Sequence, residues 1–231
     1  MFLSRRATQA EYFDAPDRAD AEIGEFYESL ASINRLFHFA EPFQRRLPKL
    51  VGPHACQSLS ILDLGAGDGF LGTMLSEWAT KKRGWKWEFT NLDANPAALR
   101  RARSGTNVVG SVLALPFSDS SFDVVIASQM THHLVSDADI IRHFREAWRV
   151  ARRGILFTDL HRNCFLYAAL NLFFRLRRYP KHFRDDALIS VRRGFRIGEL
   201  RKLAAQAGIA GGRAWLYFGA RTILEARKPG T

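Results

Sequence analysis

Three groups of residues in this chain have chemistry to offer. The first is the run Ile61-Leu62-Asp63-Leu64-Gly65-Ala66-Gly67-Asp68-Gly69-Phe70, where a short apolar segment meets three glycines at alternate positions. Glycine adopts positive φ at no steric cost and carries no Cβ, so a ligand can lie directly on this backbone. The spacing is G-x-G-x-G, not the G-x-G-x-x-G of a dinucleotide cradle, and two carboxylates, Asp63 and Asp68, accompany it. Carboxylates beside such a turn suit a cationic ligand better than a diphosphate. The second group is Asp93, which closes the alternating run from Trp87 just ahead of Asn95-Pro96. A carboxylate at the tip of a strand can accept hydrogen bonds from both hydroxyls of a ribose. The third is Ser128-Gln129-Met130-Thr131-His132-His133, with Asp159-Leu160-His161-Arg162 further on. Neutral imidazole titrates near physiological pH, so His132 or His133 could act as a general base. Adjacent residues of a regular element point apart, so one of the pair is expected to be structural. Asp159, His161 and Arg162 are candidates for positioning a substrate hydroxyl. No spacing of histidine, cysteine and acidic residues suggests a metal site.

These groups need a scaffold that gathers strand ends, and the hydrophobic pattern supplies one. The apolar run at 61–64 is followed by Leu71, Met74, Leu75 and Trp78 at helical spacing. Strand, tight turn and helix in that order form the opening unit of a doubly wound α/β sheet. The helix starting near Phe70 directs its free N–H groups to the same place. Further strands are expected at 87–93, 106–110, 122–128 and 154–160, with an antiparallel pair at 215–218 and 221–226. The segment 122–128 is almost continuously apolar, as a strand buried on both faces should be. Ligands of open α/β sheets bind at the carboxyl ends of strands, where Asp93, Ser128 and Asp159 all fall. Helices are expected at 22–39, 43–50, 137–153 and 199–207, and a bulky apolar one over 165–176 with a basic turn after it. Residues 1–21, polar and acidic, read as a loosely held arm. The whole chain, 1–231, reads as a single domain: a helical cover (1–54), a core (55–160), a cap (161–198) and a closing helix with strands (199–231).

Composition sets the bounds. A chain of 231 residues with 47% hydrophobic content is enough for one α/β core and leaves little room for a second. Cys56 and Cys164 have no metal or redox spacing, which fits a reducing compartment. The start lacks a long apolar stretch, and the run over 165–176 is broken by Asn171 and Arg175, short of the roughly 20 residues of a spanning helix. A soluble, cytoplasmic protein is expected. The charge is uneven: residues 1–140 hold 14 Lys and Arg against 17 Asp and Glu, residues 141–231 hold 20 against 6, and the net −3 and +14 make the formal +11. Such asymmetry raises nucleic acid, an anionic membrane surface or an acidic substrate as partners.

Beyond Gly110 the sequence reads Ser111-Val112-Leu113-Ala114-Leu115-Pro116-Phe117, then Ser121-Phe122-Asp123-Val124-Val125. Taken in order, the glycine loop, Asp93 and this stretch resemble the linked motifs of class I S-adenosylmethionine-dependent methyltransferases. The Leu-Pro-Phe and Ser-Phe-Asp elements are similar to the small-molecule type found in ubiquinone and menaquinone biosynthesis. The resemblance implies a Rossmann-like seven-stranded sheet with N-terminal helices and a helical cap before the last strands. It implies a cofactor site of Asp63, Gly65, Ala66 and Gly67 in the first motif, Asp93 and Ala94 in the second, and Ser111, Val112, Ser128 and Gln129 beyond. Ser111-Val112 stands where the family carries Asp-Ala, so the adenine amino group loses a carboxylate partner there. In resembling enzymes the N-terminal helices lie over the site, which places Asn34 and Arg35 near it, and an aromatic cap selects the acceptor. The implied activity is methyl transfer to a phenolic, polyketide or quinone-like hydroxyl or carbon. An RNA methyltransferase is the main alternative, although Ser-Gln-Met-Thr stands where base N-methyltransferases carry Asn/Asp-Pro-Pro-aromatic. A non-catalytic protein that binds S-adenosylmethionine is the other. The partners expected are a small-molecule acceptor and peripheral contact with a membrane, with nucleic acid less favoured.

Overall fold

The structure, a computed structural model, describes residues 3–15, 18–209 and 211–229. Its centre is a seven-stranded sheet in the order β3-β2-β1-β4-β5-β7-β6. β1 (Ser58–Leu64), β2 (Lys86–Asp93), β3 (Thr106–Val109), β4 (Phe122–Ser128) and β5 (Ala151–Leu160) run parallel to one another. β7 (Arg221–Arg227) is antiparallel to β5 and to β6 (Arg213–Tyr217). The chain moves outward from β1 to β3 and then returns to β4 on the other side of β1. That reversal opens a crevice at the carboxyl ends of β1 and β4.

The central strands carry apolar runs, Val124–Ala127 in β4 and Ile155–Phe157 in β5, because both their faces are covered there. On one side Leu62, Leu64, Val125, Ala127 and Phe157 pack against Phe144 and Ala147 of α5 (Asp137–Val150) and Leu203 of α8 (Ile197–Gln206). On the other Ile61, Val124, Ile126 and Leu156 meet Leu47 of α2 (Glu41–Val51) and Leu75 of α3 (Phe70–Arg83). Polar caps set the helix starts. Asn95 accepts the N–H groups of Ala97 and Ala98 ahead of the short α4 (Pro96–Leu99), and Ser136 accepts that of Asp139. Above the crevice, α1 (Asp20–Leu36) joins α6 (Cys164–Leu176) and α7 (Lys181–Arg193) through Ile33, Phe174 and Phe183, a third apolar cluster that roofs the sheet.

Two expectations need correction. The helix expected over 137–153 stops at Val150, and β5 begins at Ala151, because Arg152 and Arg153 both reach Asp123 Oδ1, at 3.0 and 3.1 Å, across the start of β4. Residues 3–15 are a docked strap and not a loose arm. The carboxylate of Asp186 on α7 accepts the N–H groups of Tyr12 (2.7 Å) and Phe13 (3.1 Å), Ala7 N–H donates to Arg192 O (3.0 Å), and Arg6 donates to the carbonyls of Arg193 and Leu134.

Candidate functional site

A cavity of about 870 Å³ lies over the carboxyl ends of β1, β2 and β4, and it has two unlike halves. The polar half is built on the turn from β1 to α3. Gly65 and Gly67 take φ of +66° and +58°. A Cβ on Gly65 would lie 2.0 Å from Met130 Cγ, and one on Gly67 would lie 2.7 Å from Tyr27 Cε1, so close approach as well as φ requires glycine there. Asp93 is held from two sides: Oδ2 accepts Gly67 N–H at 2.9 Å and Oδ1 accepts Asn95 N–H at 2.8 Å. Each carboxylate oxygen has a second lone pair to offer. Asp63, at the end of β1, is buried, and its Oδ2 has no hydrogen-bond partner among the described residues. Burial, and then the nearby charge of Asp93, push its pKa up to about 8. A buried, orphaned carboxylate beside a glycine cradle fits a ligand that brings its own positive charge. Ala66, Ala94, Ser111, Val112, Ser128 and Gln129 line the same half. Gln129 takes φ +52°, an unusual conformation for a residue other than glycine, and its N–H is tied to Thr158 O at 2.8 Å.

The other half is apolar. Phe13 of the strap, Phe26, Leu30 and Ile33 of α1, and Phe174 and Phe183 of the cap line it. Between the halves sits a charged cluster on the short 3₁₀ turn Thr131–His133. His132 Nδ1 lies 2.6 Å from Asp159 Oδ1, and among the described residues its Nε2 has no hydrogen-bond partner, with Glu11 Oε1 at 3.6 Å. His133 Nδ1 lies 2.6 Å from Asp14 Oδ1, and its Nε2 is 4.0 Å from Glu11 Oε2. Burial alone would depress the His132 pKa, but Asp159 and Glu11 outweigh it and raise the value to about 9. Burial would likewise raise Glu11, and His132, His133 and Arg193 reverse that and hold it low. Buried Arg193 completes the cluster, with Nη1 2.6 Å from Asp14 Oδ2 and 3.5 Å from Glu11 Oε1, and with Nη2 donating to His133 O at 2.6 Å.

Both histidines line the cavity, with ring centroids 4.4 Å apart. The expectation that one would turn away assumed a regular element, and a 3₁₀ turn is not one. The raised pKa of His132 disfavours it as a proton acceptor at neutral pH, and His133 is half-exposed at the cavity. The fold also assembles a ligand set that spacing alone did not suggest: donor atoms of Glu11, His132 and His133 lie within 4.8 Å of one another. The Arg193 guanidinium already provides a cation beside them.

The remaining candidates divide. Asn34 lines the cavity with Oδ1 buried and, among the described residues, without a hydrogen-bond partner. Arg35 is exposed, and its guanidinium lies 4.9 Å from the centre of the Phe70 ring, outside the cavity wall. Asp159 does not line the cavity and acts on it only through His132. Arg162 is turned inward to Glu199 and to the carbonyl of Gly194, a fastener between β5 and α8. His161 pairs with Gly219 O (3.1 Å) and Asn163 Nδ2 (2.9 Å) and is likewise off the cavity. Missing from the sequence-based set were Glu11, Asp14, Tyr27 and Arg193. Acidic residues in the first twenty positions were the sole signal for the first two.

Residues 62–158 match a family model described as a methyltransferase domain. A demethylmenaquinone methyltransferase of Roseiflexus castenholzii is 35% identical over 107 residues, 46% of this chain and 42% of that protein. The chain thus aligns with under half the length of that relative. Among solved structures, a SAM-dependent methyltransferase from Aquifex aeolicus superposes with a TM-score of 0.61 at 16% identity, covering 91% of this chain and 99% of that one. Human N-acetylserotonin methyltransferase in complex with SAM gives a TM-score of 0.66 at 16% identity, over 96% of this chain and 60% of that one.

Proposed function

We propose that the chain, whose residues 62–158 match a methyltransferase domain on a fold shared with SAM-dependent methyltransferases, uses S-adenosylmethionine to methylate a hydroxyl or carbon of a small, ring-shaped, apolar acceptor of phenolic, polyketide or quinone-like type. One observation carries the reading: a single cavity joins the orphaned carboxylate of Asp63 and the fixed carboxylate of Asp93 to a chamber walled by phenylalanines. S-adenosylmethionine, when bound, supplies an electrophilic methyl group on a sulfonium.

The chain's own residues hold, orient and keep dry. Asp63 takes the cofactor's ammonium and Asp93 its ribose hydroxyls, while the glycine backbone allows close approach. The aromatic walls exclude water and align the acceptor, and alignment in a dry pocket can supply much of the acceleration. For a hydroxyl or carbon acid, His133 accepts the proton at Nε2, with Asp14 fixing Nδ1–H and Glu11 stabilising the imidazolium that forms. Arg193 holds both carboxylates in place. The demethylmenaquinone enzyme among the relatives supports a quinone-like acceptor.

The RNA alternative draws no support from the site. Several arginines of the basic half are engaged internally, Arg149 with Glu146 and Asp119, Arg152 and Arg153 with Asp123, and Arg193 with Asp14. The test is calorimetric titration with S-adenosylhomocysteine, with NADH in parallel, followed by mass spectrometry of phenol, quinol and RNA panels incubated with enzyme and cofactor. Binding of S-adenosylhomocysteine alone and mass gain on a ring acceptor are expected. Absence of that binding, or methylation of RNA only, overturns the assignment.

A further inference from the structure

Helix α6 is apolar on two sides. Leu166, Leu170 and Phe174 line the cavity. Phe165, Leu172 and Leu176, at i, i+7 and i+11, make a stripe along the opposite face and are 83%, 59% and 75% exposed. A helix at the surface of a globular protein carries polar residues on that face. The stripe continues across neighbouring elements. Phe37, at the end of α1, lies 5.6 Å ring to ring from Phe173, and Asn163 Nδ2 donates to Gly219 O, which brings the β6–β7 turn and exposed Phe218 beside the start of α6. Phe37 and Phe218 also line the cavity. The exposed apolar ring is therefore the rim of the chamber and not a scatter of single residues.

Its charge is mostly positive, although Lys181 lies 4.0 Å from Asp185. No Asp or Glu occurs between Asp159 and Asp185, and Arg175, Arg177, Arg178 and Lys181 are exposed at the far end of α6. A second copy of the chain would bring this cluster against itself in a two-fold contact. An anionic bilayer offers the complement, apolar chains below a layer of phosphates. Among the described residues no helix is long and apolar enough to cross a membrane.

We propose that the rim of the cavity docks on the surface of an anionic lipid bilayer. Phe165, Leu172, Leu176 and Phe218 enter the acyl boundary while Arg175, Arg177, Arg178 and Lys181 meet headgroup phosphates. An acceptor dissolved in lipid then enters the chamber from the membrane side without crossing water. The entry route rests on the proposed acceptor class; the docking itself does not.

The experiment is flotation of the full chain with vesicles of phosphatidylcholine, with and without phosphatidylglycerol, over a range of salt. Cys164 is exposed beside the stripe and Cys56 is buried, so an environment-sensitive fluorophore on Cys164 reports insertion directly. Flotation with the anionic vesicles only, weakened by salt, and a blue shift of the label are expected. Phe165→Ser with Leu176→Ser, and separately Arg177→Glu with Arg178→Glu, should each reduce vesicle binding about tenfold or more. Their unchanged melting temperature and S-adenosylhomocysteine affinity would show intact folding. Failure to float with anionic vesicles overturns the proposal, as does equal flotation of the charge-reversed variant. So does a dimer in solution that the same substitutions dissolve, which would assign the rim to self-association. No outcome depends on turnover, so failure here is separable from failure of the methyl-transfer reading.

Discussion

His132 and Asp159 are joined twice: Asp159 Oδ1 lies 2.6 Å from the ring Nδ1, and Oδ2 accepts the His132 backbone N–H at 3.0 Å. One carboxylate thereby fixes both the ring and the backbone of the turn that carries it. The pair is buried, and burial, which disfavours the charged ring, is outweighed by Asp159 and Glu11 so that the pKa rises to about 9. A group raised in the folded state contributes stability that is complete below its unfolded pKa, about 6.5, and is lost as pH climbs through about 9. Asp159→Asn is expected to lower stability by about 3–5 kcal/mol at pH 6, the cost of stranding a buried charge. The gap from wild type should narrow toward pH 9. Chemical denaturation across that range tests it, and a gap that does not change with pH refutes the ion pair.

Asp63 gives the pH dependence of ligand binding. Its carboxyl, raised to about 8 by burial and by Asp93, is protonated in the free protein at neutral pH, whereas an ammonium ligand favours the carboxylate. Binding below pH 8 therefore releases a proton, and affinity for S-adenosylhomocysteine should rise by up to about tenfold per pH unit from 6 to 8. Calorimetry in buffers of different ionisation heat counts that proton. In Asp63→Asn both the slope and the proton should vanish.

Asp93→Ala should weaken S-adenosylhomocysteine binding by about 1–3 kcal/mol, since it removes an acceptor from two hydroxyls. It also releases Gly67 N–H and Asn95 N–H, so a lower melting temperature accompanies the loss. An unchanged dissociation constant would remove Asp93 from the ribose site.

His133→Gln and Glu11→Gln are expected to leave cofactor affinity intact and to slow methylation of a hydroxyl acceptor by about 10²–10⁴-fold for the histidine, the usual range for general bases. The Glu11 variant should shift the pH–rate profile, because it removes a negative charge from beside both rings. If both variants turn over at the wild-type rate, alignment alone carries the reaction.

The parts of this molecule that were readable in the sequence are those whose cause is local. The apolar run of β4, the turn at Gly65–Gly69 and the cap at Asn95 each follow from a few adjacent residues. The polar cluster was hidden for the opposite reason. Asp14 meets His133 across 119 positions and Arg193 across 179, and no pattern within a window reports such a pairing. The strand-end rule was also too generous. Polar side chains after β5 can turn into the packing as readily as toward a ligand, and Arg162 did so, toward Glu199. The helix over 22–39 was legible, yet its periodicity alone could not tell a core from the wall of the chamber that Phe26, Leu30 and Ile33 line.

The strap has a consequence for the order in which the protein is made. Arg6 bonds to the carbonyl of Arg193, 187 positions away, and Glu11 accepts from Ser190, 179 positions away. Contacts that close so long a loop are entropically the most expensive to form early. The sheet and its two helical layers can consolidate without them, and residues 3–15 then dock last, carrying Glu11 and Asp14 to the histidines. Hydrogen exchange in pulse-labelled refolding should find the strap protected after β1 and β4. On that ordering, the cluster of Glu11, Asp14 and the two histidines would be completed only once the sheet that carries the histidines is in place.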